Sequence, residues 1–379
     1  MSESSIAIAA RLLGKGVRFR YLKRTGNPGK VQAASIEVTH RCIARCIMCN
    51  IWKIPHDVPE LSTAKWLQVL SSPLFSDLRE LDVTGGEPFL KKDLFDLLAG
   101  VAELKKTNLK ALRSVAVTTN GLLTERVLGE TEKIVRELKR RDIELVMVCA
   151  MDAVGSIHDR IRNYPDAWLK VNETIEGLIK LRERHPLIIG LKTTVLPINA
   201  AELGKIADYA AARDLFTIIS PCIITEGRYL NEDLSADLSF SPENIQEMID
   251  FYQGEAFQWS YHREVLLQYL RNGVASKPCT CGFNYLFVRS GGDVYPCPLV
   301  GKCAGNVNET PVEDIFGSEA AKRIRGKVGA FPECVRCTEP GLERYALPCE
   351  GFVYLSLLLK MGRSKFLEAH RHMGLNKYL

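Results

Sequence analysis

From residue 33 to about residue 222, short apolar runs alternate with longer segments whose apolar positions recur at helical spacing. The runs are Ala33 to Val38, Leu78 to Val83, Arg113 to Thr118, Ile143 to Met151, Leu187 to Val195 and Leu215 to Ile219. Between them, Lys91 to Leu104, Leu122 to Lys139, Leu169 to Arg184 and Ala200 to Arg213 read as amphipathic helices. Six strand and helix units in succession predict an α/β fold with a parallel sheet and right-handed crossovers, in the form of a partial (β/α)6 TIM-like barrel open on one side and spanning residues 32–235. Residues 236–277 read as a helical connector. A small C-terminal cysteine-rich β-hairpin/α module is expected over 278–350, because Gly291-Gly292-Asp293 separates Tyr285-Leu286-Phe287-Val288 from Val294-Tyr295.

Polar or glycine-rich residues follow the strands. The first run leads to Cys42, Cys46 and Cys49, the second to Thr84-Gly85-Gly86-Glu87-Pro88, the third to Thr119-Asn120-Gly121 and the fourth to Asp152. In a parallel barrel all strand ends of one polarity open on the same mouth, so these distant segments are expected to converge.

Charge changes the picture at the ends. The chain has 379 residues and a net charge of only +5, yet residues 1–31 and 351–379 together carry about +10, leaving about −5 for the middle. Both ends mix Leu, Phe and Tyr with Lys and Arg, a composition that suits either an ordinary surface helix or an anionic membrane surface. No stretch is long enough to span a bilayer. Glu3 and the short apolar patch after it do not make a signal pattern, so a cytoplasmic setting is expected, peripheral to the inner face of a membrane if the basic ends bind one. There, twelve clustered cysteines read as metal ligands rather than disulfides. Cys149 and Cys222 stand alone on apolar runs and read as core residues. No aromatic stacking pattern points to nucleic acid.

The chemistry concentrates in the triplet C-x3-C-x2-C. Three thiolates so close can hold three irons of a [4Fe-4S] cubane and leave the fourth iron open, whereas a closed zinc site needs a fourth ligand that His40, Asn50 and His56 do not supply at standard spacing. Together with GGEP and TTNG, the triplet resembles the radical S-adenosylmethionine (radical SAM) superfamily over residues 33–230. The resemblance implies that Cys42, Cys46 and Cys49 hold the cluster and that SAM chelates the open iron. It further implies that an electron from the cluster splits SAM to a 5′-deoxyadenosyl radical, which abstracts hydrogen from a substrate carbon. Gly85, Gly86, Glu87 and Pro88 are then expected to hold the SAM ammonium, and Thr119 and Asn120 its carboxylate or ribose. Met48 stands where relatives carry an aromatic that covers adenine. Asp152 falls at the end of a Ser-x-Asp signature whose serine is replaced here by Ala150. Arg162 and Arg228 resemble recurrent family positions, with roles as carboxylate partners or as surface ion pairs both open.

Downstream, Cys279-Thr280-Cys281-Gly282, then Gly292-Asp293-Val294-Tyr295-Pro296-Cys297, then Cys334-Val335-Arg336-Cys337 resemble the SPASM and twitch extensions. The resemblance implies an auxiliary site from Cys279, Cys297, Cys334 and Cys337, with Cys281 competing for the first place and Cys349 a substitute. Cys303 is also in the module. The full two-cluster pattern is not met, so one auxiliary [4Fe-4S] cluster is expected; a four-cysteine zinc knuckle uses the same ligand types. The function implied is SAM cleavage by an oxidoreductase- or transferase-type enzyme drawing electrons from a donor such as a flavodoxin or ferredoxin. Peptide or protein side chains, small molecules and membrane lipids are all open as substrates, although a basic segment of only about thirty residues precedes the barrel, which counts against a ribosomal-peptide maturase. A non-catalytic iron-sulfur carrier is the rival, and it leaves GGEP and TTNG without a purpose.

Overall fold

A computed structural model describes residues 4–257, 260–370 and 377–378. Its centre is one nine-stranded sheet ordered β6-β5-β4-β3-β2-β1-β7-β8-β9. The strands are β1 (Ala33–Glu37), β2 (Glu80–Thr84), β3 (Ser114–Thr119), β4 (Glu144–Ala150), β5 (Leu187–Val195), β6 (Phe216–Pro221), β7 (Tyr285–Val288), β8 (Asp293–Tyr295) and β9 (Gly305–Asn306). The first six pair parallel in chain order and are joined by helices that include Leu94–Leu104, Thr124–Lys139, Ala167–Arg182 and Leu203–Ala211. This is the partial barrel that the alternation of apolar runs implies.

The helices bury one face each against the sheet. Trp66, Phe75, Leu97, Leu98, Val135, Ile175 and Ile206 are all inside, with Val115, Leu145 and Leu191 of the strands beneath them. Burying side chains such as Trp66 and Phe75 completely contributes roughly 2–3 kcal/mol each. The lumen side carries polar groups instead: Ser35 with Asp82, Asp82 with Arg344, and Glu37 with Ser290 and Arg289.

The hairpin of the cysteine-rich module lies where its sequence indicates, but it does not form a separate layer. β7 pairs parallel with β1, and β8 and β9 continue antiparallel, so the module extends the barrel sheet across its open edge. Covering that edge removes a row of unpaired backbone groups. The second module is thus held at a fixed distance from the loop that follows β1.

The N-terminal helix runs Ser5–Thr25, capped by Ser4, whose side chain accepts from the Ala7 amide, and closed by Gly26. The C-terminal basic segment is two helices, Phe352–Met361 and Arg363–Ala369, broken at Gly362. Residues 371–376, which hold part of the predicted basic C-terminal helix, lie outside the described residues. At the far end, Tyr378 donates to Glu80 and Lys377 approaches Ser114 at 3.1 Å, closing the barrel floor opposite the cysteine triplet. Among the described residues no helix is long and apolar enough to cross a membrane.

Candidate active site

The loop after β1 carries the triplet onto the barrel mouth. Its shape is held from two sides: Arg45 and Ile47 amides donate to the Arg162 and Ile161 carbonyls, and the Cys49 amide closes back on Cys46 at 3.2 Å. Cys42, Cys46 and Cys49 rim a cavity of about 120 Å³ shared with Met48, Gly85, Gly86, Thr119, Asn120, Ala150 and Arg162. Four chain segments that are far apart in sequence therefore do converge. His40 is elsewhere, buried against Ser290 and the Pro55 carbonyl.

Each strand-end segment has a defined place. A side chain on Gly85 would put its Cβ 2.3 Å from the Thr39 carbonyl oxygen, and one on Gly86 would lie 2.3 Å from that of Arg41. Only hydrogen fits, because Gly86 and Glu87 amides donate to those same carbonyls at 2.8 Å. The two glycines let the second loop dock against the cysteine loop, a close approach of backbone to backbone, while both also line the cavity.

Glu87 is fully buried and does not line the cavity. Its carboxylate accepts from Thr119 Oγ1 (2.9 Å), the Asn120 amide (2.7 Å) and the Phe89 amide (3.2 Å). Burial raises its pKa to about 7 against the pull of these three donors. Its side chain positions Thr119 and Asn120. Pro88 starts the short helical turn behind it. Asn120 folds its own oxygen back to the Leu122 amide and aims its amide nitrogen at Cys42 Sγ, 3.8 Å away.

Asp152 also sits one layer back. It is completely buried, accepts from the Thr194 amide (2.9 Å) and lies 2.7 Å from Arg162 Nη2. Burial pushes its pKa up while Arg162 opposes the shift. The carboxylate at the end of the Ser-x-Asp signature is thus engaged in an ion pair with Arg162. Arg162 is the group that reaches the cavity, with Nη1 3.7 Å from Cys46 Sγ and Nη2 2.9 Å from the Ala150 carbonyl.

Several lining residues were not singled out from sequence: Trp52, Lys192, Thr194 and Tyr229. Cys222, read as core, lines the cavity too, whereas Cys149 is fully buried as expected. Arg228 lies in the wall, donating to Thr84 Oγ1 at 2.5 Å and stacked over Tyr229. The signal for these residues is positional: each lies in or after a strand whose neighbours already point to the mouth.

A second cavity, about 290 Å³, lies beneath the hairpin. Cys279, Cys281, Cys297, Cys334 and Cys337 all rim it, with Lys277, Glu339 and Tyr345. Cys303 is exposed beside the Gly305 carbonyl. Cys349 packs instead with Phe19, Leu22 and Phe283, so it does not serve as a substitute ligand in this arrangement. A hydrogen bond from Cys281 lowers the Cys279 pKa to about 6, and Cys281, donating to Cys279 and Cys297, is pushed well up. Burial raises Cys337 to about 11 against the opposing pull of Lys277.

The sulfurs ring two open volumes, and thiolates are the donors that iron-sulfur clusters take. Burial lifts Cys42 and Cys49 to about 12, so iron binding there must displace protons, and the iron charge replaces the solvation that burial removes.

A family model described as the radical SAM superfamily matches residues 36–210, and one for the SPASM iron-sulfur cluster-binding domain matches 279–338. The chain belongs to the radical SAM superfamily. Its radical SAM core is the partial barrel, and its SPASM module is the hairpin extension with the second cavity. The chain is 23% identical over 291 residues to the sporulation killing factor maturation protein SkfB of Bacillus subtilis, covering 76% of this chain and 65% of that protein. It is 23% identical over 331 residues to the PqqA peptide cyclase of Methylocella silvestris, covering 83% and 82%. The fold is similar to that of Streptococcus suis SuiB bound to S-adenosylmethionine, with a TM-score of 0.57 and 15% identity over 84% of this chain and 75% of that one. The chain thus spans slightly less than two thirds of the length of SkfB.

Proposed function

We propose that this chain is an iron-sulfur-dependent radical SAM enzyme that takes a hydrogen atom from a substrate carbon presented at the barrel mouth. When bound, the first cluster supplies the electron that splits SAM into methionine and the 5′-deoxyadenosyl radical. The observation that carries this reading is the meeting of the cysteine triplet with Gly85, Gly86, Asn120 and Arg162 on one cavity. An electron carrier would need the sulfurs but not the rest.

The surrounding residues then have distinct work. Arg162, fixed by Asp152, offers a pre-oriented cation to a carboxylate. Met48 and Trp52 supply apolar wall that limits water. Glu87 holds Thr119 and Asn120 so that their polar atoms need not reorganise. Arg41 and Arg45 stand exposed on the cysteine loop, which suits an acidic electron donor of the flavodoxin or ferredoxin kind.

One auxiliary cluster is part of the proposal, because five cysteines ring a single volume while Cys303 and Cys349 stand away from it. A peptide or protein side chain is the substrate class favoured by the names of the two relatives, a maturation protein and a peptide cyclase. All twelve cysteines are free, which supports a cytoplasmic setting. The test is anaerobic: reconstituted, reduced protein mixed with SAM is expected to form 5′-deoxyadenosine and methionine, and Cys46→Ala to form none. Equal product from wild type and Cys46→Ala would refute the assignment.

A further inference from the structure

The helix Ser5–Thr25 is apolar on two opposite faces. Inward, Ile8, Leu12, Phe19 and Leu22 are buried. Phe19 meets Phe283 edge-on at 5.3 Å, and the Phe352 ring stands 2.4 Å from where a side chain on Gly16 would begin. That face is fully used. Outward, Ile6, Leu13, Val17 and Tyr21 are 82, 49, 58 and 61% exposed. Their spacing of seven, four and four residues puts them on one stripe of the helix.

An ordinary surface helix has one apolar face, because the second gains nothing from folding and invites association. Here the concentration is selective: of eleven large apolar side chains that are exposed among the described residues, four lie on this stripe and a fifth, Leu359, at 74% exposure, is on Phe352–Met361, the helix packed against it. The charge around the stripe has one sign. No Asp or Glu occurs between Glu3 and Glu37, while Arg18, Arg20, Lys23 and Arg24 are exposed. Of these four, Arg20 pairs with a carboxylate among the described residues, Glu350 at 2.9 Å.

We propose that this face docks the protein on an anionic bilayer. Ile6, Leu13, Val17 and Tyr21 enter the boundary between headgroups and acyl chains, and the arginines and lysine meet the phosphates. A second copy of the chain fits less well. A two-fold contact through this stripe would set the basic flanks of both helices against each other. The inference does not depend on the chemistry proposed for the barrel mouth.

The experiment is flotation of the full-length reconstituted protein with vesicles of phosphatidylglycerol and phosphatidylcholine in equal parts, and with phosphatidylcholine alone. The wild type is expected to rise with the anionic vesicles only. L13E/V17E is expected to lose at least about tenfold in the bound fraction, and R18Q/K23Q/R24Q about fivefold for each charge removed. Leu169→Glu, an exposed apolar position outside the face, should float as the wild type does. Thermal midpoints matching the wild type show that the variants are folded, and the charge variant carries the test if L13E/V17E is not. No flotation of the wild type overturns the proposal, as does equal flotation of the stripe or charge variants, or an equal loss in L169E. A wild-type dimer that L13E/V17E splits, seen by light scattering, would assign the face to a second copy and also overturn it.

Discussion

The two cysteine cavities differ in how their ligands are counted and gathered. At the barrel mouth three cysteines come from one eight-residue loop and share their cavity with polar groups from several other segments, Asn120, Arg162, Lys192 and Arg228. Beneath the hairpin five cysteines come from separate segments between 279 and 337, and the other lining groups are mostly backbone-proximal or apolar. The first set is one ligand short of closing a cubane; the second has one to spare. A short set next to fixed polar groups is a place where a second molecule binds, whereas a surplus set is a place where a cluster is kept.

The sharpest way to break that contrast is to remove one cysteine from each site. Cys46→Ala is expected to abolish 5′-deoxyadenosine formation, while Cys337→Ala retains SAM cleavage within about tenfold, Cys281 remaining to complete four ligands. The wild type should carry about eight irons per chain and Cys46→Ala about four. Loss of SAM cleavage in both variants would erase the distinction.

Next in size is the ion pair behind the first site. Arg162→Met leaves the Asp152 carboxylate buried without its counter-charge and is expected to cost about 3–5 kcal/mol of stability by denaturant unfolding. R162M/D152N should regain most of that stability yet not the SAM affinity. If the double variant binds SAM like the wild type, Arg162 plays no part in the site.

Each site also has a neutral histidine behind it. Burial holds His158, whose Nδ1 accepts from the Asp152 amide at 3.1 Å, down to about 2, and His262, 3.2 Å from Ser220 Oγ, down to about 3. The unfolded chain protonates both below its ordinary 6.5 while the folded chain does not. Their stability is therefore complete above pH 6.5 and falls with acidification, by about 2 kcal/mol each at pH 5. Glu87 and Glu343 work in the opposite sense. Burial raises both to about 7, so the folded chain takes up their protons first and gains stability as pH falls from about 7 to the unfolded 4.5. His158→Asn keeps an acceptor for Asp152 and should gain about 2 kcal/mol relative to wild type between pH 7 and pH 5, read from urea midpoints at both values. A difference that does not change with pH would show that His158 titrates normally.

The smallest effect is expected at the two excluded thiols. Cys303→Ser and Cys349→Ser should leave iron content and SAM cleavage unchanged, since neither lines the second cavity. A loss of iron in either would enlarge the ligand set.

How far this was legible depends on whether a feature is local. The strands coincide with the apolar runs to within two residues, from Ala33–Glu37 to Phe216–Pro221, because a strand buried on both sides writes itself as a continuous run. The triplet and the auxiliary cysteines were legible as ligands for the same reason: thiols that hold metal leave a spacing. What was hidden is non-local. That β7 pairs with β1, some 250 residues away, leaves no mark on either segment. Gly85 and Gly86 signalled a close approach but not its partner, which is the Thr39–Arg41 backbone. Nor do the motifs of Glu87 and Asp152 show what each holds in the fold, Thr119 and Asn120 for the first and Arg162 for the second. Arg162 reaches the cavity because Ser156–Arg162 is folded back beside the cysteine loop, a placement set by the Arg45 and Ile47 amide contacts rather than by any motif.

The central contrast rests on the first site alone having a free corner. Electron paramagnetic resonance of the reduced protein, with and without SAM, tests it in the wild type and in C42A/C46A/C49A, which keeps only the second set of cysteines. SAM should perturb the wild-type spectrum and leave that of the triple variant unchanged. An unperturbed wild type, or a triple variant whose signal shifts on adding SAM, would contradict the account.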